Sequence, residues 1–142
     1  MKQQIKFLIR VDGSKEIGLG HVYNMLTFLN NLDDEKILIV MNKKRNLGSG
    51  KFKKYGYKIK FISNNNDLKK IIDSFNPDVI CNDLLNTTLN YMKILKKFSC
   101  SIVNFEDLGE GRKLADLVFN PIYYTKKNNK NEFYGEKFAC VR

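Results

Sequence analysis

The chain has 142 residues, of which 43% are hydrophobic, and it carries a formal net charge of +10. This length suits one domain with a single buried core, and the composition lies far from that of disordered chains. No apolar run approaches the roughly 20 residues of a membrane-spanning helix, and the first one ends without a signal-peptide cleavage pattern. The sequence therefore predicts a cytoplasmic protein without a membrane span.

The first predicted elements are a strand and a helix, which lie within residues 5–32 and are joined by a loop that contains glycines. An apolar run over residues 5–11 predicts the strand, which ends at Asp12. Apolar residues then recur at the spacing of one helical face, and they are Val22, Met25, Leu26, Leu29 and Leu32.

The loop between this strand and helix holds the first candidate site residues. Gly18, Leu19 and Gly20 precede His21, the only histidine in the chain, which is predicted in or just before the first helical turn. Free backbone N–H groups and the helix dipole favour an anion there and disfavour a second proton on the imidazole. A neutral histidine can act as a base, so His21 is the candidate catalytic residue, although a tight turn beside an ordinary histidine gives the same pattern.

Two nucleotide-binding motifs do not fit this loop. The spacing from Gly13 to Gly18 imitates a P-loop, but Leu19 and Gly20 stand where Lys and Ser or Thr are required. A dinucleotide-binding fingerprint lacks its third glycine, and the second predicted strand ends without an acidic residue. Kinase-like and NAD-binding functions are thus disfavoured, and no cofactor is expected.

The rest of the chain alternates strands with helices. A continuous apolar run at residues 36–41 predicts a strand buried on both faces, whereas the alternating Lys58–Ile62 predicts an edge strand whose lysines discourage pairing with another chain. Further helices are predicted at residues 51–55, 68–75 and 91–98, and further strands at residues 78–81, Ser101–Phe105 and 114–119. This alternation indicates a single α/β domain, a Rossmann-like parallel sheet with helices on both faces.

Polar residues follow several of the predicted strands, namely Asp12, Asp83, Glu106, Asp107 and Asn120. Ligands of such a sheet bind beyond the carboxyl ends of its strands, so these residues should share one edge with the glycine loop and the histidine. Each is also an ordinary turn former. Together they suit a polyhydroxylated ligand that carries a phosphate, and the sequence shows no set of three metal ligands.

The three cysteines, at positions 81, 100 and 140, are widely spaced and form no Cys-x-x-Cys pair. An odd and scattered set indicates neither a zinc site nor a disulfide framework. The cysteines are therefore predicted to be free thiols.

Nucleic-acid binding is an alternative that the basic segment at residues 43–60 raises, because Phe52, Tyr55 and Tyr57 are interleaved with its lysines. Arginine, which makes bidentate contacts with phosphates and bases, occurs at only four positions, while Lys and Asn are abundant throughout. The charge is interpreted as a solvated surface, and nucleic acid is disfavoured as a partner.

Several motifs occur together in a fixed order. Arg10 and Asp12 form an Arg-x-Asp pattern before the Ile-Gly-x-Gly-His of residues 17–21. A Pro-Asp strand ends in Asp83, and the acidic strand end at residues 106 and 107 precedes Asp-x-x-x-Asn at residues 116–120. In this combination the chain resembles the UDP-sugar hydrolases of the pseudaminic-acid pathway and the related spore-coat polysaccharide biosynthesis proteins.

The resemblance implies the amino-terminal, Rossmann-like half of a GT-B glycosyltransferase-like enzyme whose active site lies between two domains. It implies that His21 activates water for attack at the anomeric carbon of a UDP-linked sugar. The carboxy-terminal domain that holds the nucleotide would be missing here, which would leave residues 1–142 inactive alone. The candidate substrate-binding residues are Asp12, Gly18, Leu19, Gly20, Asp83, Glu106, Asp107 and Asn120.

Two positions depart from the family pattern, because Asn24 stands where Arg is usual and Leu85 where Tyr is common. Both departures point to another nucleotide sugar, to an acceptor other than water, or to a binding module without chemistry. The phrase NFEDLGEG, at residues 104–111, also resembles members that accompany a sugar-acid cytidylyltransferase, which favours a role in nonulosonate-type surface glycan synthesis.

Overall fold

A computed structural model describes residues 2–33, 35–124 and 130–140. The strands and helices are β1 (Lys6–Val11), α1 (Gly20–Leu29), β2 (Lys36–Asn42), α2 (Ser49–Lys54), β3 (Lys58–Ile62), α3 (Asn65–Phe75), β4 (Val79–Asp83), α4 (Leu89–Leu95), β5 (Ser101–Phe105), β6 (Leu117–Asn120) and β7 (Glu132–Tyr134). Short 3₁₀ helices occupy Glu110–Leu114 and Glu136–Phe138.

The described residues form one sheet of seven parallel strands in the order β3-β2-β1-β4-β5-β6-β7. At the centre of the sheet, Ile9 of β1 is in register with Ile39 of β2 and Cys81 of β4. β3 lies at one edge, as its alternating lysines predict. The predicted α/β fold with a parallel sheet is therefore confirmed.

Side chains of β1 alternate between two hydrophobic cores, one on each face of the sheet. Leu8 belongs to a cluster with Ile72 of α3, whereas Ile9 belongs to a cluster with Met25 of α1 and Phe52 of α2. These five side chains are at most 1% exposed, and burying each contributes about 1.5–3 kcal/mol. Helices therefore cover both faces of the sheet, as predicted.

Helix α3 shows how local sequence sets the ends of an element. Oδ1 of Asn64 accepts a hydrogen bond from the N–H of Asp67 at 2.9 Å and so caps the first turn. Asn76 ends the helix in the left-handed conformation, with φ at 49°, just before Pro77, which cannot continue it.

Two predicted helices are shorter than expected. α1 ends before Leu32, since the side chain of Asn31 donates to the carbonyl of Thr27 at 2.8 Å and short amides of this kind compete with helical hydrogen bonds. α4 ends before Phe98, which packs against the core from the following turn.

Among the described residues, no helix combines the length and the apolar content that crossing a membrane requires.

Candidate functional site

The loop after β1 is held in place by the loop after β2. The N–H of Gly13 donates to the carbonyl of Arg45, and the N–H of Leu47 donates to the carbonyl of Gly13, both at 2.9 Å. A β-carbon on Gly13 would lie 2.2 Å from the carbonyl oxygen of Leu47, so only glycine permits this approach. The contact brings Arg45 to the same edge of the sheet as the glycine loop.

The glycines before α1 leave the amino terminus of that helix open. Gly18 adopts a φ of 75°, and its N–H donates to the carbonyl of Ser14 at 2.8 Å. A β-carbon on Gly18 or Gly20 would have no neighbour within 4 Å. Leu19 provides no side-chain cap, and the first turn of α1 contains no acidic residue. The first N–H groups of α1 can therefore receive an anion, as the sequence predicts.

His21 in the first turn of α1 contacts Asp83 at the end of β4. Nδ1 of the imidazole lies 2.5 Å from Oδ1 of the carboxylate. His21 is 8% exposed and Asp83 is 0% exposed, so the pair is shielded from water. Because a carboxylate holds one ring nitrogen, the other is left for a ligand.

The pKa of His21 corrects the expectation from the helix dipole. The hydrogen bond with Asp83 raises this pKa, burial opposes the rise, and the charges of Asp83, Glu106 and Asp12 add to it. A carboxylate in direct contact thus outweighs a helix amino terminus, so the imidazole holds a second proton more tightly than a free histidine does. Burial also raises the pKa of Asp83 to about 6, against the lowering effect of His21.

Glu106 completes a three-residue cluster with His21 and Asp83. It follows β5 in the left-handed conformation, with φ at 51°, and its Oε1 accepts from the side-chain amide of Asn24 at 3.0 Å. The cluster offers three possible metal-ligand atoms, all within 4.8 Å of one another. The three residues are far apart in the chain, so no local spacing in the sequence indicates this cluster.

Asp12 is held by its neighbour Arg10 in a bidentate ion pair. The distances are 2.5 Å from Nη1 to Oδ1 and 3.1 Å from Nη2 to Oδ2, and both residues are 6% exposed. Oδ1 of Asp12 also accepts from the backbone N–H of Asn42 at 2.9 Å. These contacts fix the carboxylate at the end of β1 and fill much of its hydrogen-bonding capacity.

Asp12, His21 and Asp83 line a cavity of about 410 Å³ at the carboxyl ends of the strands, whereas Glu106 lines a separate cavity of about 130 Å³ with Asn24. The cavity is lined by Arg10, Asp12, Ile17, His21, Arg45, Asp83, Leu84, Leu85 and Asn86. Larger cavities of about 530 Å³ and 650 Å³ lie on the outer side of α1 and α2 and at the opposite end of the sheet, and their linings contain none of the candidate site residues. The cavity of about 410 Å³ is therefore the candidate site.

Asp107 and Asn120, although at the same edge, are turned into the protein. The carboxylate of Asp107 accepts from the N–H and hydroxyl of Thr87, the side-chain amide of Asn104 and the N–H of Gly109. Asn120 accepts from the N–H of Asp107 at 2.7 Å and donates to its carbonyl at 3.0 Å. Asp107 is 1% exposed and Asn120 is 0% exposed, and neither residue lines the cavity. Both residues instead hold strand ends together.

Six lining residues are absent from the site residues predicted from the sequence, namely Arg10, Ile17, Arg45, Leu84, Leu85 and Asn86. Arg45 follows β2, so the rule that ligands bind beyond the carboxyl ends of parallel strands could have identified it. Its basic neighbours instead led to its interpretation as part of a solvated surface segment. Leu85 is 55% exposed at the cavity.

The aromatic residues of the basic segment are mostly engaged within the protein. Phe52 is fully buried, and Tyr57 packs edge-on against it with ring centroids 6.5 Å apart. Of the three aromatics, Tyr55 is the one with a largely open side chain, at 59% exposure. The segment therefore lacks the row of exposed rings on which single-stranded bases stack.

No family model matches the chain. The uncharacterized protein MJ1062 of Methanocaldococcus jannaschii is 30% identical over 150 residues, which cover 97% of this chain and 31% of that protein. The crystal structure of MurG from Acinetobacter baumannii superposes with a TM-score of 0.70 at 8% identity, over 92% of this chain and 45% of MurG. The chain thus spans about a third of the length of MJ1062 and under half of the length of MurG.

The likeness to MurG shows the fold. A seven-stranded parallel sheet flanked by helices is the Rossmann-like α/β fold of one half of a GT-B glycosyltransferase. The predicted fold class, a Rossmann-like parallel sheet that resembles one half of a GT-B glycosyltransferase, is therefore confirmed.

Proposed function

We propose that this chain is the amino-terminal domain of a nucleotide-sugar hydrolase or a related glycosyltransferase that acts in surface polysaccharide or nonulosonate synthesis. The observation that carries the proposal is the buried contact between His21 and Asp83 beside the cavity at the carboxyl ends of the strands. The GT-B-like fold supports the broader statement, that of a glycosyltransferase-like protein. The resemblance in the loop and strand-end motifs supports the narrower one, UDP-sugar cleavage.

His21 acts as the general base in this proposal. With its Nδ1 proton donated to Asp83, the Nε2 lone pair accepts a proton from water or from an acceptor hydroxyl. The oxygen of that group bonds to the anomeric carbon while the bond to the diphosphate breaks, and the nucleotide diphosphate leaves with the bonding electrons. Asp83 keeps the imidazole in the required tautomer and stabilises the imidazolium that forms.

The other residues of the cavity bind the substrate. Asp12 accepts hydrogen bonds from sugar hydroxyls, while Arg45 and the open amino terminus of α1 attract the phosphates. The candidate loop residues Gly18, Leu19 and Gly20 supply the backbone that makes this approach possible. A carboxy-terminal domain of the same protein would hold most of the nucleotide, which is consistent with a chain that spans 45% of MurG.

Turnover of UDP-N-acetylhexosamines by the full-length protein tests the base role. His21→Ala should abolish nucleotide release, whereas Asp73→Asn, an exposed change on α3, should leave it intact. Undiminished turnover in His21→Ala would contradict the proposal. Titration of both the domain and the full-length protein with UDP, CMP and UDP-sugars locates the site, since amide shifts are expected near residues 18–21.

A binding module without chemistry is the second candidate. The amide of Asn24, at the position where the family usually has Arg, is bound to Glu106, and the apolar side chain of Leu85 lines the cavity where Tyr is common. Binding of a nucleotide sugar by the full-length protein with no turnover would favour this candidate over the enzyme.

A further inference from the structure

We propose that His21, Asp83 and Glu106 form a binding site for a divalent transition-metal ion. The three residues come from the first turn of α1, the end of β4 and the residue after β5, and the parallel sheet brings them to one edge. One ligand atom from each lies within 4.8 Å of those of the other two. An ion held at metal–ligand distances of about 2.0–2.2 Å would replace the hydrogen bond between Nδ1 of His21 and Oδ1 of Asp83, and these two atoms would move apart from their present 2.5 Å.

The strongest sign of a missing ligand is at Asp83. Its side chain is 0% exposed, and Oδ1 faces His21 while Oδ2 has no hydrogen-bond donor among the described residues. A buried carboxylate oxygen without a partner is costly, because it has lost its water without replacement. A cation within the cluster would occupy this oxygen.

The charge of the cluster also favours a cation. Two carboxylates lie beside one imidazole, and within the described ranges neither Glu106 nor Asp83 forms an ion pair with Lys or Arg. The nearby Arg10 is already paired with Asp12. Among the described residues, the imidazole of His21 is thus the one basic group that contacts these carboxylates.

Asn24 orients Glu106 toward the cluster. Its amide donates to Oε1 at 3.0 Å, which is the kind of outer contact that fixes a metal-binding carboxylate. Asn24 is also neutral, whereas the Arg usual in the resembled family would bring its own positive charge. The residue that departs from the family pattern therefore leaves room for a cation.

The chemistry of the donors narrows the choice of ion. One imidazole nitrogen and two carboxylate oxygens suit Zn²⁺, Fe²⁺ or Mn²⁺ better than ions that prefer thiolates or an all-oxygen shell. Three protein ligands also leave positions open for water. Co²⁺ is a suitable probe because its visible absorption reports the coordination of these donors.

Metal binding also regulates the proposed reaction. An ion on Nδ1 of His21 leaves the ring proton on Nε2, so the imidazole can no longer accept a proton from water. Zn²⁺ should then inhibit turnover. This consequence rests on the proposed function, whereas the binding of the ion does not.

The test is a Co²⁺ titration of this chain, with Zn²⁺ as competitor, in a Cys100→Ser and Cys140→Ser background that removes both partly exposed thiols. One ion should bind per chain. Glu106→Gln and Asp83→Asn should each weaken binding at least about tenfold. Glu110→Gln removes an exposed carboxylate outside the cluster and should leave binding unchanged.

Asn24→Arg provides a variant that keeps all three ligands. Its positive charge beside Glu106 should also weaken Co²⁺ binding at least about tenfold. In the unsubstituted chain, Mn²⁺ should broaden the amide signals of His21, Asp83 and Glu106 first, and this measurement needs no variant to fold.

Two results would overturn the metal site. One is the lack of saturable Co²⁺ or Zn²⁺ binding up to about 1 mM. The other is binding that both ligand variants leave unchanged, with Mn²⁺ broadening elsewhere in the chain. These measurements involve no turnover, so they test the metal site independently of the proposed function. The proposed function is tested separately, because full activity in His21→Ala would contradict it.

Discussion

Oδ1 of Asp83 lies 2.5 Å from Nδ1 of His21, which joins the end of a central strand to the first turn of α1. The two residues are 62 positions apart in the chain, and both are shielded from water. This contact holds the only imidazole of the protein in one orientation at the edge of the cavity.

Asp83→Asn should reduce turnover of the full-length protein about 100-fold or more, because the imidazole loses the charge that fixes its tautomer and stabilises its protonated form. The free energy of unfolding should change little, since a buried charge is removed as well. Steady-state kinetics and urea unfolding measure the two effects. Asp33→Asn, an exposed change, is the control, and wild-type turnover in Asp83→Asn would contradict the role of the pair.

Asp107→Asn should lower the free energy of unfolding by about 2–4 kcal/mol. The carboxylate accepts from four protein donors in a buried network, and a carboxamide presents hydrogens to some of them. Urea unfolding of this chain measures the loss. Glu106→Gln is the matched comparison at the adjacent position, where the side chain has one hydrogen bond to Asn24 and the cost should be below about 1 kcal/mol. Equal losses would argue against the network.

Gly13→Ala should destabilise the chain by about 1–3 kcal/mol, because the new methyl group would lie 2.2 Å from the carbonyl of Leu47 and force the two loops apart. Gly50→Ala is the control, since a β-carbon there meets nothing within 4 Å. Thermal unfolding compares the two variants, and amide chemical shifts at Arg45 report the displaced loop. A neutral Gly13→Ala would show that the loops separate freely.

Arg10→Met should lower the free energy of unfolding by about 3–5 kcal/mol, since it leaves the buried carboxylate of Asp12 without its cation. The double variant Arg10→Met with Asp12→Leu should regain part of this loss, although the N–H of Asn42 then lacks its acceptor. A double-mutant cycle from urea unfolding gives the coupling. Strict additivity would mean that the ion pair contributes no specific stability.

Local sequence patterns predict many of the strands and helices of this fold. The continuous apolar run of β2 and the alternating lysines of β3 predict a buried and an edge strand, and each is observed, because burial on one or two faces depends only on residue period. The capped start of α3 at Asn64 and its stop before Pro77 are equally local. The end of α1 before Leu32 is not predicted, since weak competition by the side chain of Asn31 decides it. The end of α4 is not predicted either, and there the N–H of Phe98 donates to the carbonyl of Leu95 in a tighter turn.

The sequence alone determined which residues lie at the carboxyl edge of the sheet, because strand periodicity and parallel order assign each strand an end. Only the tertiary structure decided which of them meet. Side-chain direction at a strand end depends on the turn that follows, and the left-handed residue at Glu106 turns its carboxylate to the cluster while Asp107 turns inward. The raised pKa of His21 has the same origin, because it comes from a carboxylate 62 positions away that no local pattern pairs with the imidazole.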